Sequence, residues 1–123
     1  MKFASILAFS AALAAAAPGL ALAADCNRTA PPAKIDGASA TLDQVMADKS
    51  AVTQFMTASD AYQDCLIADL KAQQAAARAA KTKLDPAIAK ATDAKTSENQ
   101  ADKEHVGADF NATVKAYRAA HPS

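Results

Sequence analysis

Glu98, Asp102, His105 and Asp109 follow one another at spacings of four, three and four. On an α-helix those steps fall on one face. Three carboxylates and an imidazole are donor types that can hold a divalent metal. A closed helical metal site also draws ligands from a second helix, commonly as a Glu-x-x-His pair, and the segment that would form that helix carries none. The expected state of these four residues is therefore a solvated polar face, with no metal and no other cofactor.

Catalytic chemistry finds less support. The chain has two histidines, and His121 stands close to the C-terminus, where helices fray. The motifs G-x-S-x-G and H-E-x-x-H and a Gly-rich phosphate loop are absent. No catalytic residue is assigned, and the chain reads as non-enzymatic. Asn27-Arg28-Thr29 and Asn111-Ala112-Thr113 match N-x-[ST], a short pattern that matters only in a eukaryotic secretory route. The compact leader and Ala-heavy composition point instead to a bacterial chain, so both matches are set aside.

The N-terminus reads as an export signal. Met1-Lys2 is a short basic start, followed by an Ala-rich apolar run with Ile6, Leu7, Phe9 and Leu13. Pro18-Gly19 ends the run, and Ala21-Leu22-Ala23 supplies the small-x-small pattern of a signal-peptidase site. Residues 1–23 are the expected cleaved signal peptide, and the mature chain is expected in the periplasm or outside the cell. The run is shorter than the roughly 20 apolar residues of a membrane span. Asp25 stands between Ala24 and Cys26, so Cys26 is not placed for lipidation.

Without Lys2, 12 basic residues face 13 acidic ones, and neither sign clusters. A nucleic-acid partner would call for a basic patch or stripe, so none is expected. Cys26 and Cys65 are the two cysteines, spaced too widely for a C-x-x-C redox motif. An exported chain with one such pair most simply forms one disulfide; free thiols and an intermolecular bridge are the alternatives.

The elements that would position these residues can be read from periodicity and punctuation. Residues 24–40 form an arm containing Pro31-Pro32, which favours an extended path, and Asp36-Gly37, which marks a turn. Thr41-Leu42-Asp43-Gln44 is a capping box. After it, Val45, Val52, Phe55, Met56, Ser59, Tyr62, Leu66 and Leu70 recur at helical period. The spacing predicts a first helix over about 42–83, with an Ala-rich tail. Asp85-Pro86 is an N-cap followed by a proline at the first helical position. It opens a second helix over about 86–120, one long helix kinked at Pro86 being the alternative. Ser97-Glu98-Asn99 is a possible interruption, and Gly107 lies within the second stripe of Val106, Phe110, Val114 and Tyr117.

A reversal near Leu84-Asp85 would lay the stripes on each other as an antiparallel αα-hairpin. It would set Phe55 against Val114 and Val52 against Tyr117. The candidate core is Val52, Phe55, Tyr62, Leu66, Val106, Phe110, Val114 and Tyr117. Asn111, beside Phe110, would either bond across the seam and fix register or stand exposed. From Thr41 to Cys65 is roughly 36 Å of helix. The arm from Cys26 to Thr41 spans roughly 46 Å if extended, so it can run back along helix one and reach Cys65. The expected fold is all-α: a two-helix hairpin over 41–120 whose arm is tethered by disulfide to helix one.

Asp25-Cys26, the proline arm ending in Asp36-Gly37, and Ala40-Thr41 with Met46 are joined by Ala61-Tyr62 with Cys65-Leu66, and by Phe110-Asn111 with Ala116-Tyr117. Together they resemble a group of small uncharacterised secreted helical proteins of Gram-negative bacteria. The resemblance implies a periplasmic helical protein with a Cys26–Cys65 bridge, and no activity. The Leu-Thr-x-x-Gln motifs of Spy-type stress chaperones are absent. The leading expectation is a non-enzymatic interaction or structural module, whose partner is another envelope protein or a second copy. A holdase-type chaperone or envelope-stress protein, using Met46 and Met56 as adaptable contacts, and a metal binder are the alternatives.

Overall fold

The computed structural model describes residues 25–122, so the signal peptide expected over 1–23 lies outside the described residues. Those residues form two helices, α1 (Leu42–Ala79) and α2 (Pro86–Ala120), preceded by the non-helical arm. No strand occurs among them.

Local chemistry accounts for each helix boundary. The Thr41 hydroxyl accepts from the Gln44 N–H at 3.2 Å, and the Gln44 side chain accepts from the Thr41 N–H at 2.8 Å. Two backbone donors that the first turn would leave unpaired are thereby satisfied. Asp85 caps α2 by accepting from the Ala87 N–H at 2.9 Å, and Pro86 fits the first turn because that position has no helical acceptor for an N–H.

The C-terminus of α1 departs from expectation: it ends at Ala79, not near 83. Lys81 adopts a positive φ of 55°, its N–H donates to the Arg78 carbonyl, and the Thr82 N–H donates to the Ala77 carbonyl. This is a Schellman closure, normally built on glycine. A lysine there hides the stop signal, because its side chain disfavours the left-handed conformation by roughly 1–2 kcal/mol.

The earlier stop moves the register. Across the helix seam Asn99 meets Ser59 and Gln63, Lys103 bonds Asp60, and Gly107 lies beside the Met56 methyl. These pairs are displaced by about two helical turns from the expected pairing of Phe55 with Val114 and Val52 with Tyr117. Val52 instead lines one cavity together with Val106 and Phe110, and the Tyr117 ring stacks on His121 at 4.3 Å.

The buried apolar residues are Ala40, Val45, Phe55, Tyr62, Leu66 and Val106. Val52, Phe110, Val114 and Tyr117, also expected in the core, are half-buried. No residue from 67 to 98 is fully buried. The Ala-rich halves nearest the 80–85 connection thus have little core of their own, and the packed region lies where the arm is.

Polar residues occupy that region too. Asn99 is 1 % exposed, and its amide donates to the Ser59 carbonyl at 2.9 Å and to Gln63 Oε1 at 3.3 Å. The seam-crossing asparagine is therefore Asn99, whereas Asn111 is exposed. Asn99 belongs to the Ser97–Asn99 stretch suspected of interrupting α2; α2 runs through it unbroken.

Two substitutions test this account by chemical denaturation. Lys81→Gly should stabilise by about 1 kcal/mol by relieving the left-handed lysine. Gly107→Ala should stabilise by about 0.5–1 kcal/mol, since an added Cβ would meet the Met56 methyl at an ordinary 3.8 Å. A loss of stability in either would contradict the helix end or the seam described here.

Candidate functional site

The four residues that opened the sequence argument do lie along α2, and the structure assigns them partners. Arg28 of the arm donates from Nη1 to Glu98 Oε2 at 3.1 Å and from Nη2 to Asp102 Oδ2 at 2.5 Å. Lys34 donates from Nζ to Asp109 Oδ1 at 2.7 Å, and His105 Nε2 lies 3.3 Å from Asp109 Oδ2. Each carboxylate of this face, expected to be solvated, is thus held by a cation of the arm. Among the described residues no group of three His, Cys, Asp or Glu side chains is arranged to hold a metal ion.

The electrostatics follow from spacing. Glu98 and Asp102 sit one turn apart, where like charges repel by a few tenths of a kcal/mol. A single planar guanidinium between them reverses the sign, because its forked donors reach two acceptors at once. The Arg28 pKa is raised, first by its hydrogen bond to Asp102. The Asp109 pKa is held below the ordinary 3.8, first by its hydrogen bond to Lys34; desolvation opposes this, and the nearby His105 and Lys34 lower it further.

Shape and covalent chemistry fix the arm at its two ends. At the N-terminal end Cys26 is disulfide-bonded to Cys65 of α1, with a Cα–Cα distance of 5.7 Å. At the other end Gly37 presses against α2: a Cβ at Gly37 would lie 2.0 Å from the Thr113 carbonyl oxygen. That approach requires glycine for space and not for a special φ. Thr113, itself buried, donates its hydroxyl to the Ile35 carbonyl at 3.2 Å. The chain then turns into α1 through Asp36, whose carboxylate accepts from the Ala38 N–H and the Ser39 hydroxyl.

The sequence allows the arm to run back along helix one to Cys65, and the disulfide does reach α1 there. The arm's polar contacts also run along α2, from Glu98 to Thr113, which the sequence reading does not include. Three signals for this were present in the sequence: a basic residue at 28, another at 34, and carboxylates at matching helical intervals. Taken separately, they read as balanced charge in one place and as a solvated polar face in another.

Comparison with protein-family models, with curated proteins and with solved structures gave no match. The function must therefore be argued from the site itself. Among the described residues no helix is long and apolar enough to cross a membrane.

Three results are expected from thermal and chemical unfolding. The Cys26→Ser/Cys65→Ser double variant should lose roughly 2–4 kcal/mol. Gly37→Ala should lose about 1–3 kcal/mol, because the added methyl has only backbone to push against. Asp109 has a lowered folded pKa, so its contribution is complete above the unfolded value and is lost as pH falls through the folded one. The difference in melting temperature between the natural chain and Asp109→Asn should be present at about pH 5 and close as pH falls below 3.8.

Proposed function

We propose that this chain is a periplasmic, non-enzymatic interaction module of the small secreted group it resembles. In this reading it is an antiparallel two-helix hairpin whose proline-containing arm is tethered to α1 by the Cys26–Cys65 bridge and lies on α2. The observation that carries the proposal is the use made of the reactive side chains. The two cysteines are bonded to each other, and Glu98, Asp102 and Asp109 each hold an arm cation. What is left uncommitted is surface. The disulfide supports an oxidising compartment, and the reading of residues 1–23 as an export signal supports the same address.

The surface offered to a partner lies at the start of α1. Leu42 is 58 % exposed and Met46 is 54 % exposed. One turn apart, they form an apolar pair on a helix whose N-terminus is fixed by its capping box and the arm turn. Isolated exposed apolar residues are ordinary; a rigidly held pair is the kind of anchor a helix-in-groove contact uses. A second reading, a holdase-type chaperone, is favoured by one feature of the same patch: Met46 is unbranched and polarizable and adapts to many apolar surfaces.

In-cell crosslinking of the tagged mature protein, followed by mass spectrometry, separates these readings. One stoichiometric partner, lost in the Leu42→Lys/Met46→Lys variant while its melting curve is unchanged, is the result expected of an interaction module. Many substoichiometric clients would support the holdase. A monomer with no crosslinked species would contradict both.

A further inference from the structure

Arm, α1 and α2 line a half-open cavity of about 220 Å³. Pro31 and Pro32 form one wall, Val52 another, and Val106 and Phe110 a third, so apolar side chains line it from all three elements beside its polar groups. Its charged lining is Asp48, Asp109, Lys34 and His105. Asp109 is already bonded to Lys34 and lies beside His105. Asp48 is different: it is half-buried, and no hydrogen bond or ion pair engages it among the described residues. Desolvation by burial pushes its carboxyl pKa above the ordinary 3.8.

A carboxylate taken partly out of water without a countercharge is costly. Two carboxylates against one ammonium leave the lining negative when the imidazole is neutral. A ligand that brings one positive charge to Asp48 and an apolar body to the prolines, Val52 and Phe110 would satisfy both features. Pockets for drug-sized ligands run roughly 300–1,000 Å³, so the occupant must be smaller.

We propose that this three-walled cavity binds a small organic monocation, a primary ammonium on a compact alkyl or aryl body, with Asp48 as its countercharge. The site is incomplete without the arm, which supplies the proline wall and holds Asp109 through Lys34. Binding is therefore linked to the docked, disulfide-closed arm. The cavity is separate from the Leu42–Met46 patch and does not depend on the partner reading above.

The test uses the oxidised mature protein and three probes of one shape and different charge: phenethylammonium, 2-phenylethanol and phenylacetate. Titrations are followed by amide chemical shifts in ¹H–¹⁵N spectra. The expected result is saturable phenethylammonium binding, with shifts centred on Asp48, Val52, Val106 and Phe110. Affinity should be at least tenfold weaker for the alcohol, and phenylacetate should not bind. Asp48→Asn should abolish the preference for the cation over the alcohol. Flat titrations, equal affinities for cation and alcohol, or shifts centred elsewhere would overturn the proposal. If Asp48→Asn fails to fold, the three-probe comparison on the natural chain still decides. A preference for the cation that persists unchanged in a folded Asp48→Asn protein would also overturn it.

Discussion

The contact between the arm and α2 is the constraint on which the remainder of this structure rests. It is closed at one end by the Cys26–Cys65 bond and at the other by Gly37 lying against the Thr113 backbone. Between those ends Arg28 and Lys34 hold three carboxylates of α2. Exposed ion pairs taken singly add little, typically 0–1 kcal/mol. Here they act on a segment whose two ends are already fixed, so less chain entropy opposes them. The arm is in effect a third packed element in a domain too small to build a deep core from two helices.

Placing the third element there explains where the core lies. The buried apolar side chains fall in the stretches from Ala40 to Leu66 and at Val106, beside the arm. The stretch 67–98 around the connection is Ala-rich and has no fully buried residue; helix propensity, which is highest for alanine, sustains it more than packing does. Polar groups enter the core where backbones and side chains must be matched in register. Asn99 ties α2 to the Ser59 carbonyl of α1, and Thr113 ties it to the Ile35 carbonyl of the arm. Each makes a hydrogen bond that a shift by one turn would break, leaving a buried polar group unpaired.

Much of this was legible before any coordinates. The capping box at Thr41 and the Asp85-Pro86 start are local signals with local causes, and both helices begin where those residues place them. The stripe residues Phe55, Tyr62, Leu66 and Val106 are buried. The end of α1 was illegible because Lys81 takes a conformation that glycine usually marks. That single residue moved the expected pairings of Val114 and Tyr117 by two turns. Asparagine is a poor helix former in isolation, so Asn99 reads locally as a possible interruption, whereas its bond to the Ser59 carbonyl is what the position serves. The acidic face was seen, but its partners are about 70 or more residues away in sequence, and no local rule links a carboxylate to a cation at that distance.

The most direct test of this account is a set of nuclear Overhauser contacts between arm and α2 in the oxidised mature protein, at neutral pH and moderate salt. Contacts from Gly37 to Thr113, from Lys34 to Asp109 and from Arg28 to Asp102, with dispersed arm resonances, are the predicted result. Sharp arm resonances at random-coil shifts, without contacts to α2, would contradict it and leave the two helices without their third element.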